Sequence, residues 1–298
     1  MRERRCFVQF IHPGGEHWPD QGDPKFWNRD AHRRKFLKSP GRYIEDGDLR
    51  DGEILFWGEW EPESKVVARY TDRAPDGPHF LYEPFFVEHR NGAWRQNTDP
   101  FVFGERFHYT GCLQHTRRGP TQLRFLAPGS LVLFGSCREK SRFVVDTVLV
   151  VSDYLDHTPG DWQETVDGEV STTYSRVTLE PWYRGAVPEV QSHRLYFGAT
   201  PDRPVGEMFS FFPCRPYDET SRGFARPEIN IPGFITSHLT QGKKIARDLS
   251  LAEMSELWKQ VVRQVESAGL SLGTYAELPP RGGEGGRRVE DPDSVGRC

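Results

Sequence analysis

Short apolar runs bounded by glycine and polar residues recur along this chain, and two of these runs share one pattern. Residues 49–58 and residues 126–135 both read Leu-x-x-Gly, one polar residue, four apolar residues and a second glycine. A turn that leads into a buried strand explains this pattern. We therefore predict a β-rich barrel or sandwich rather than a doubly wound nucleotide-binding fold.

Other apolar runs predict further strands. Phe7–Ile11 is the first of them, and residues 143–151, interrupted by Asp146, form the clearest one. Between the first strand and the first repeat, Asn28 predicts the start of a short helix over residues 29–38. Shorter strands are predicted at residues 101–109, 174–179, 194–197, 208–212 and 228–231.

One long helix is predicted near the end of the chain. Ser250 and Glu253 have the spacing of a capping box, and Gly269 is well placed to end the helix. We expect its apolar face to pack on the core. That face consists of Leu251, Met254, Leu257, Trp258, Val261 and Val265.

These elements divide the chain into three predicted segments. Residues 1–155 hold the barrel, and residues 156–278 add a β-rich segment whose C-terminal helix packs on the same core. Residues 279–298 contain mostly Gly, Arg, Glu and Asp. That composition predicts a disordered tail.

The order of strand, short helix, glycine turn and strand resembles the PUA-like superfamily, which includes the ASCH, EVE/YTH and SRA-type domains. The resemblance is carried by Leu49-x-x-Gly52-Glu-Ile-Leu-Phe and Leu126-x-x-Gly129-Ser-Leu-Val-Leu-Phe. It covers about the first half of the chain, with Glu and Ser where those families usually have Asp. It implies an α+β, β-rich fold with a PUA-like β-barrel core, added strands and one long C-terminal helix. It also implies a cleft for a modified or flipped-out nucleobase.

Composition limits the classes of function. The formal net charge of -4 provides no global basic field, which argues against tight non-specific nucleic-acid binding but allows a local basic patch. The five cysteines include no CxxC pair, and Cys112 is expected to be a small core residue. The N-terminus has no apolar signal segment. We therefore predict a cytoplasmic protein with reduced thiols and no membrane partner; the sequence indicates no oligomeric state.

The loop after the first strand concentrates candidate chemical groups. His12, Glu16 and His17 are ligand types for zinc or iron, but they lie on a glycine-rich loop without the spacing of a metal motif. We therefore assign no metal and no cofactor. His12 and Glu16 are candidate catalytic residues, with an ordinary polar loop as the alternative.

Two aspartates are further catalytic candidates. Asp146, in an apolar strand, is either an acid–base group or the partner of Arg69, which has the matching position in the first repeat. Asp99-Pro-Phe resembles the water-activating segment of uracil-DNA glycosylases, although the Gly-Gln and the final His of that motif are absent. A chance match is the alternative there.

Basic and aromatic residues alternate in several places. This pattern is typical of proteins that hold phosphates and stack on unpaired bases, and charged surfaces over an aromatic core are the alternative. Glu59 and Glu61 contact base-edge donors, act as an acid–base pair, or cap an exposed turn. The candidate nucleic-acid-binding residues are Arg33, Arg34, His115, Arg117, Arg118, Lys243 and Lys244, and the candidate stacking residues are Trp57, Trp60, Tyr82 and Phe85.

Three hypotheses follow. The first is a nucleic-acid-directed protein, binding DNA or RNA, that recognises a modified or flipped-out nucleobase. As an enzyme it would be a DNA glycosylase that hydrolyses the N-glycosidic bond in defence against modified DNA, with Asp99 or Asp146 activating water. The alternative is a small-molecule hydrolase or transferase that uses the His12/Glu16/His17 loop. A non-catalytic scaffold is the second alternative.

Overall fold

The computed structural model describes residues 2–12, 14–19, 32–87, 98–138, 142–185, 192–236 and 242–282. Within these ranges the chain is strand-rich, with a smaller helical part and mixed sheets, which places it in the β-rich α+β class. No helix in the described part of the chain is long and apolar enough to cross a membrane.

The first sheet combines strands from the whole length of the chain. Its order, among the described residues, is β13, β1, β9, β10, β11, β6. The β1–β9 pair is parallel and the other pairs are antiparallel. The strands are β1 (Cys6–Ile11), β6 (His108–Tyr109), β9 (Leu131–Arg138), β10 (Arg142–His157), β11 (His193–Gly198) and β13 (Lys243–Arg247).

The second sheet has the order β14, β12, β3, β2, β5, β4 in the described ranges. Because β14 also pairs with β2, the strands β2, β3, β12 and β14 form a closed ring of pairings. A small hairpin of β7 (His115–Thr116) and β8 (Gly119–Pro120) stands apart. The strands of the sheet are β2 (Lys35–Glu45), β3 (Asp48–Gly58), β4 (Ser64–Arg69), β5 (Phe80–Pro84), β12 (Phe212–Pro216) and β14 (Ser271–Ala276).

Both repeated apolar runs form strands that are buried on both faces. In β9, Val132 and Phe134 pack into one hydrophobic cluster, while Leu131 and Leu133 pack into another. The run Ile54-Leu-Phe-Trp of β3 divides between the same two clusters. Successive side chains of a strand point to opposite faces, so a strand between two cores needs four consecutive apolar residues.

The two repeats differ in their turns and in their sheets. Gly129 has a φ of 81° and forms a turn before β9, whereas Gly52 lies inside β3. The turn before β3 is Asp46-Gly47, with φ values of 53° and 86°, as a two-residue hairpin requires. Asp146 pairs with Arg34 and Arg226, and the guanidinium of Arg69 lies over the ring of Phe80, so the predicted pairing of Arg69 with Asp146 is wrong.

The described chain also contains helices. The helix α4 (Leu251–Ser267) begins with the predicted capping box of Ser250 and Glu253, and the apolar face from Met254 to Val265 is buried. Short helical segments precede it along the chain. They are a 3-10 helix (Gln122–Phe125), α1 (Trp162–Thr165), α2 (Thr172–Tyr174), a π-helical turn (Ser175–Leu179) and α3 (Glu180–Gly185).

Several local predictions need correction. The predicted helix over residues 29–38 is wrong from Lys35 onward, where β2 begins, and its first residues lie outside the described ranges. The strand predicted at residues 174–179 is helical instead. The strand over residues 101–109 reduces to His108–Tyr109, while β1, β10 and β11 confirm their predictions. Residues 283–298 of the predicted tail lie outside the described part of the chain.

A buried histidine in the core gives a testable pH dependence. His108 lies between the rings of Phe101 and Tyr174, and burial, followed by the charge of Arg106, lowers its pKa to about 3. The unfolded chain protonates this imidazole below a pH of about 6.5, so His108 destabilises the folded state as the pH falls.

We expect His108→Phe to remove this dependence. Between a pH of about 7 and a pH of about 5, the wild type should lose roughly 2 kcal/mol more stability than the variant. Urea denaturation at the two pH values measures the difference. Equal losses in both proteins would show that His108 does not contribute to acid sensitivity.

Candidate functional site

A β-bulge in the first sheet brings the backbone of Asp146 close to the end of β1. The pairing of β10 with β9 shifts register between Val145 and Thr147, which leaves Asp146 in the bulge. Bulges redirect side chains. Opposite it, a Cβ at Gly135 would lie 2.1 Å from the carbonyl oxygen of Val144, so only glycine fits. The amide of His12 donates to the carbonyl oxygen of Gly135 at 2.7 Å, which holds His12 at the same point.

Arg34 and Asp146 form a buried ion pair. The Nε of Arg34 donates to Oδ2 of Asp146 at 2.6 Å, and Nη1 of Arg226 lies 3.4 Å from the same oxygen. Burial alone would lower the pKa of Arg34, but the charges of Asp146 and Glu59 raise it. Arg34 therefore stays charged, and it neutralises the carboxylate that interrupts β10.

Glu59 comes next to Arg34 because of the β2–β3 register. Lys35, the first residue of β2, pairs with Gly58, the last residue of β3. The Oε2 of Glu59 consequently lies 3.1 Å from Nη1 of Arg34 and 3.1 Å from Nδ1 of His12. Neither carboxylate oxygen accepts a hydrogen bond from any described residue. Burial raises the pKa of Glu59 to about 8.

His12 contacts groups on both sides of its ring. Its Nδ1 lies 3.4 Å from Nη1 of Arg34 with hydrogen-bond geometry, and its Nε2 lies 3.5 Å from Sγ of Cys112. Because a guanidinium only donates, Nδ1 accepts and the ring proton belongs to Nε2. Burial, then the charge of Arg34, holds the pKa of His12 well below its usual value. The ring is therefore neutral, and the lone pair on Nδ1 accepts from Arg34.

Asp99 positions the loop that carries Cys112. Its Oδ1 accepts a hydrogen bond from the amide of Thr110 at 2.9 Å, and its Oδ2 accepts from the amides of Gly111 and Cys112 at 3.0 and 2.9 Å. Burial raises the pKa of Asp99 to about 7. The half-buried Cys112 thiol has a raised pKa, first because of burial and then because of Asp99. The described contacts of Asp99 thus organise the loop.

His32 and Glu61 complete the cluster. The Nδ1 of His32 lies 3.0 Å from Oε1 of Glu61 and 3.4 Å from Oε1 of Glu59. Burial opposes protonation of His32, but the hydrogen bond to Glu61 and the charge of Glu59 raise its pKa. The rings of His32 and His12 are 4.5 Å apart between centroids. Half-buried His32 and Cys112 therefore form the outer part of the site.

One set of residues in the described ranges has the arrangement of metal ligands. His12, His32 and Glu59 each offer one ligand atom, and these atoms lie within 4.8 Å of one another. Two imidazoles and one carboxylate are ligands of several catalytic metal centres.

The predicted loop of His12, Glu16 and His17 does not act as one unit, and this prediction is corrected. Glu16 accepts hydrogen bonds from the amides of His79 and Phe80 at 2.6 and 2.9 Å and thereby anchors the start of β5. His17 is buried beside the ring of Tyr82. Of the three loop residues, His12 is the one in the cluster.

The basic candidates are spread over different environments. Arg34 is buried in its ion pair with Asp146. The predicted phosphate contact of Arg34 and the predicted catalytic role of Asp146 are therefore both corrected. Arg117 and Arg118 are exposed in the turn between β7 and β8. Arg33 is half-buried, and the ring of His115 lies 5.5 Å from that of His193 between centroids. Lys243 donates to the carbonyl oxygen of Leu113 at 3.4 Å, and Lys244 donates to the carbonyl oxygen of Gly233 at 2.6 Å.

Three of the four predicted stacking residues belong to the core. Trp57, Trp60 and Tyr82 are at most 4% exposed, and each donates a hydrogen bond to a backbone carbonyl oxygen. They offer no ring face to a base, so this prediction is corrected. Phe85 is half-buried.

Sequence reasoning missed the importance of Glu59, Glu61, His32 and Cys112. The two glutamates flank Trp60 after β3, and the sequence favours an exposed turn for them over a base contact or an acid–base pair, but they are 4% and 7% exposed. The alternation of acids around a buried tryptophan is the one local signal for them. No protein-family profile, curated protein or solved structure matches this chain.

Proposed function

We propose that this protein is an enzyme, a hydrolase or group transferase, whose centre consists of His12, His32, Glu59 and Cys112. The observation that carries the proposal is Glu59, a buried carboxylate without a hydrogen bond from any described residue. Such a group costs folding free energy. Groups of this kind are concentrated at functional sites.

The chemistry of the cluster supports transfer reactions. Cys112 supplies a thiol, His12 and His32 supply imidazoles, and Glu59 and Glu61 supply carboxylates. These are the side chains that act as nucleophiles and transfer protons in hydrolysis and group transfer. The half-buried positions of Cys112 and His32 give the site an approach from solvent.

A nucleotide or nucleic acid is the substrate class that we propose for this centre. Lys243 contacts Leu113, next to Cys112, and exposed Arg117 and Arg118 follow on the hairpin of the same segment. Cations at the edge of a site favour a phosphate-bearing ligand. The same proposal includes a PUA-like barrel, which the closed ring of β2, β3, β12 and β14 supports. It also includes a cytoplasmic location. The role in defence against modified DNA is proposed from the resemblance alone.

Turnover by matched variants tests the proposal. We expect the wild type to hydrolyse at least one of three substrate classes: an activated ester, a phosphodiester, or a nucleoside with a modified base. His12→Gln should reduce that rate by about 100-fold or more, because His12 contacts both Cys112 and Glu59. Glu105→Gln, an exposed carboxylate outside the site, is the control. Full activity of His12→Gln on every substrate that the wild type processes would contradict the proposal.

A further inference from the structure

We propose that His12, His32 and Glu59 bind one divalent transition-metal ion of the zinc class. The inference deepens the proposed function, because the ion would lie in the same site. Its ligand atoms would be Nδ1 of His12, Nδ1 of His32 and the carboxylate of Glu59, and the ion would displace the hydrogen bond that Nδ1 of His32 shares with Glu61.

The separations of the ligand atoms fit a small ion. The Nδ1 of His12 is 3.1 Å from Oε2 of Glu59, and the Nδ1 of His32 is 3.4 Å from Oε1 of Glu59. A tetrahedral zinc ion with bonds of about 2.0–2.1 Å keeps its ligand atoms about 3.3 Å apart. Each observed pair is therefore as close as co-ligands, although the two pairs use different oxygens of Glu59, and neither pair makes a hydrogen bond. The ligand atoms of all three residues lie within 4.8 Å of one another.

The tautomer of His12 leaves Nδ1, the ring nitrogen that faces Glu59, without a proton. Its Nε2–H is directed at Sγ of Cys112, 3.5 Å away, and its Nδ1 carries the lone pair that faces Glu59. Histidine ligands usually donate their second ring N–H to an outer acceptor, which fixes the ring. Cys112 has that position here, so we place it outside the ligand set.

Arg34 is the group that competes with the ion. Its Nη1 lies 3.4 Å from Nδ1 of His12 and 3.1 Å from Oε2 of Glu59, while its Nε is anchored on Asp146. Binding of the ion would replace the contact with Nδ1 and would leave the guanidinium on the carboxylate.

The charges of the cluster favour a cation in addition to Arg34. Three buried carboxylates, those of Glu59, Glu61 and Asp146, face two buried guanidiniums, those of Arg34 and Arg226. One negative charge is left over when all five groups are ionised and both imidazoles are neutral, which is the state in which they can bind a metal. A divalent ion compensates that charge in a buried environment, where electrostatic interactions are strong.

Calorimetry with the metal alone tests the proposal. Protein stripped with EDTA is titrated with Zn²⁺, and the bound metal is counted by mass spectrometry. We expect one equivalent to bind, with affinity reduced about 100-fold or more in Glu59→Gln and in His32→Gln, and unchanged in Glu105→Gln. Absence of binding, or equal affinity in all four proteins, would overturn the site.

Cobalt spectroscopy tests the ligand set. We expect the Co²⁺ form to show the visible bands of a nitrogen- and oxygen-ligated ion without a thiolate charge-transfer band. A strong thiolate band would show that Cys112 is a ligand and would overturn the proposed ligand set.

Turnover separates the two proposals. If the stripped protein binds no Zn²⁺ but His12→Gln still abolishes turnover, the metal site fails and the proposed function stands.

Discussion

Replacement of Arg34 by methionine is expected to lower the free energy of unfolding by about 3–5 kcal/mol. The guanidinium is 0% exposed and donates to Asp146 at 2.6 Å, and Asp146 is itself 2% exposed. Methionine fills much of the volume but leaves the carboxylate buried without its closest partner. Arg226, at 3.4 Å, compensates that charge in part. Urea denaturation in EDTA measures the loss.

Two further variants separate the buried charge from the loss of an arginine in general. Arg263→Met removes an exposed partner of Glu256 on α4 and should cost at most about 1 kcal/mol. The double variant Arg34→Met/Asp146→Leu should recover at least half of the loss, because both charges are then absent. A cost below about 1 kcal/mol for Arg34→Met would show that the pair is not a structural anchor.

Much of the strand architecture follows from local patterns. The run Leu131-Val-Leu-Phe134 has no polar side because β9 packs between two clusters, and the sequence shows this directly. The start of α4 is equally local, since Ser250 and Glu253 cap each other within one turn. Such features depend on residues that are neighbours in sequence.

The errors come from long-range context. Residues 35–45 are rich in charged side chains, yet they form β2 because β3, β5 and β14 pair with them. Residues 174–179 have strand-like composition but form a helical segment whose side chains Tyr174, Val177 and Leu179 enter the core. Tertiary packing overrides local propensity in both cases.

The site itself could be predicted only in part for the same reason. His12 was found because it ends an apolar strand, and Asp146 because it interrupts one. The partner of Asp146 is 112 residues away in sequence, and no local pattern connects it with Arg34. The sequence favours an exposed turn for Glu59. Here the β2–β3 register fixes it beside Arg34.

Glu59→Gln should have the opposite effect to Arg34→Met. The folded-state pKa of Glu59, about 8, lies above its unfolded value of about 4.3, so the folded protein binds this proton more tightly. Protonation of Glu59 therefore stabilises the folded state at low pH, and this contribution to the free energy of unfolding is lost as the pH rises through about 8. Glutamine resembles the protonated form and has no such loss. Relative to the wild type, the variant should gain on the order of 3 kcal/mol between a pH of about 5 and a pH of about 8.

The most direct test of a functional centre is this comparison in metal-free protein. The free energy of unfolding of the wild type and of Glu59→Gln is measured by urea denaturation in EDTA at both pH values. If Glu59 is kept for function at the expense of stability, Glu59→Gln should be at least as stable as the wild type, and more stable at the higher pH. If Glu59→Gln instead loses about 2 kcal/mol or more at both pH values, Glu59 is a structural partner of Arg34, and the account of the site is contradicted.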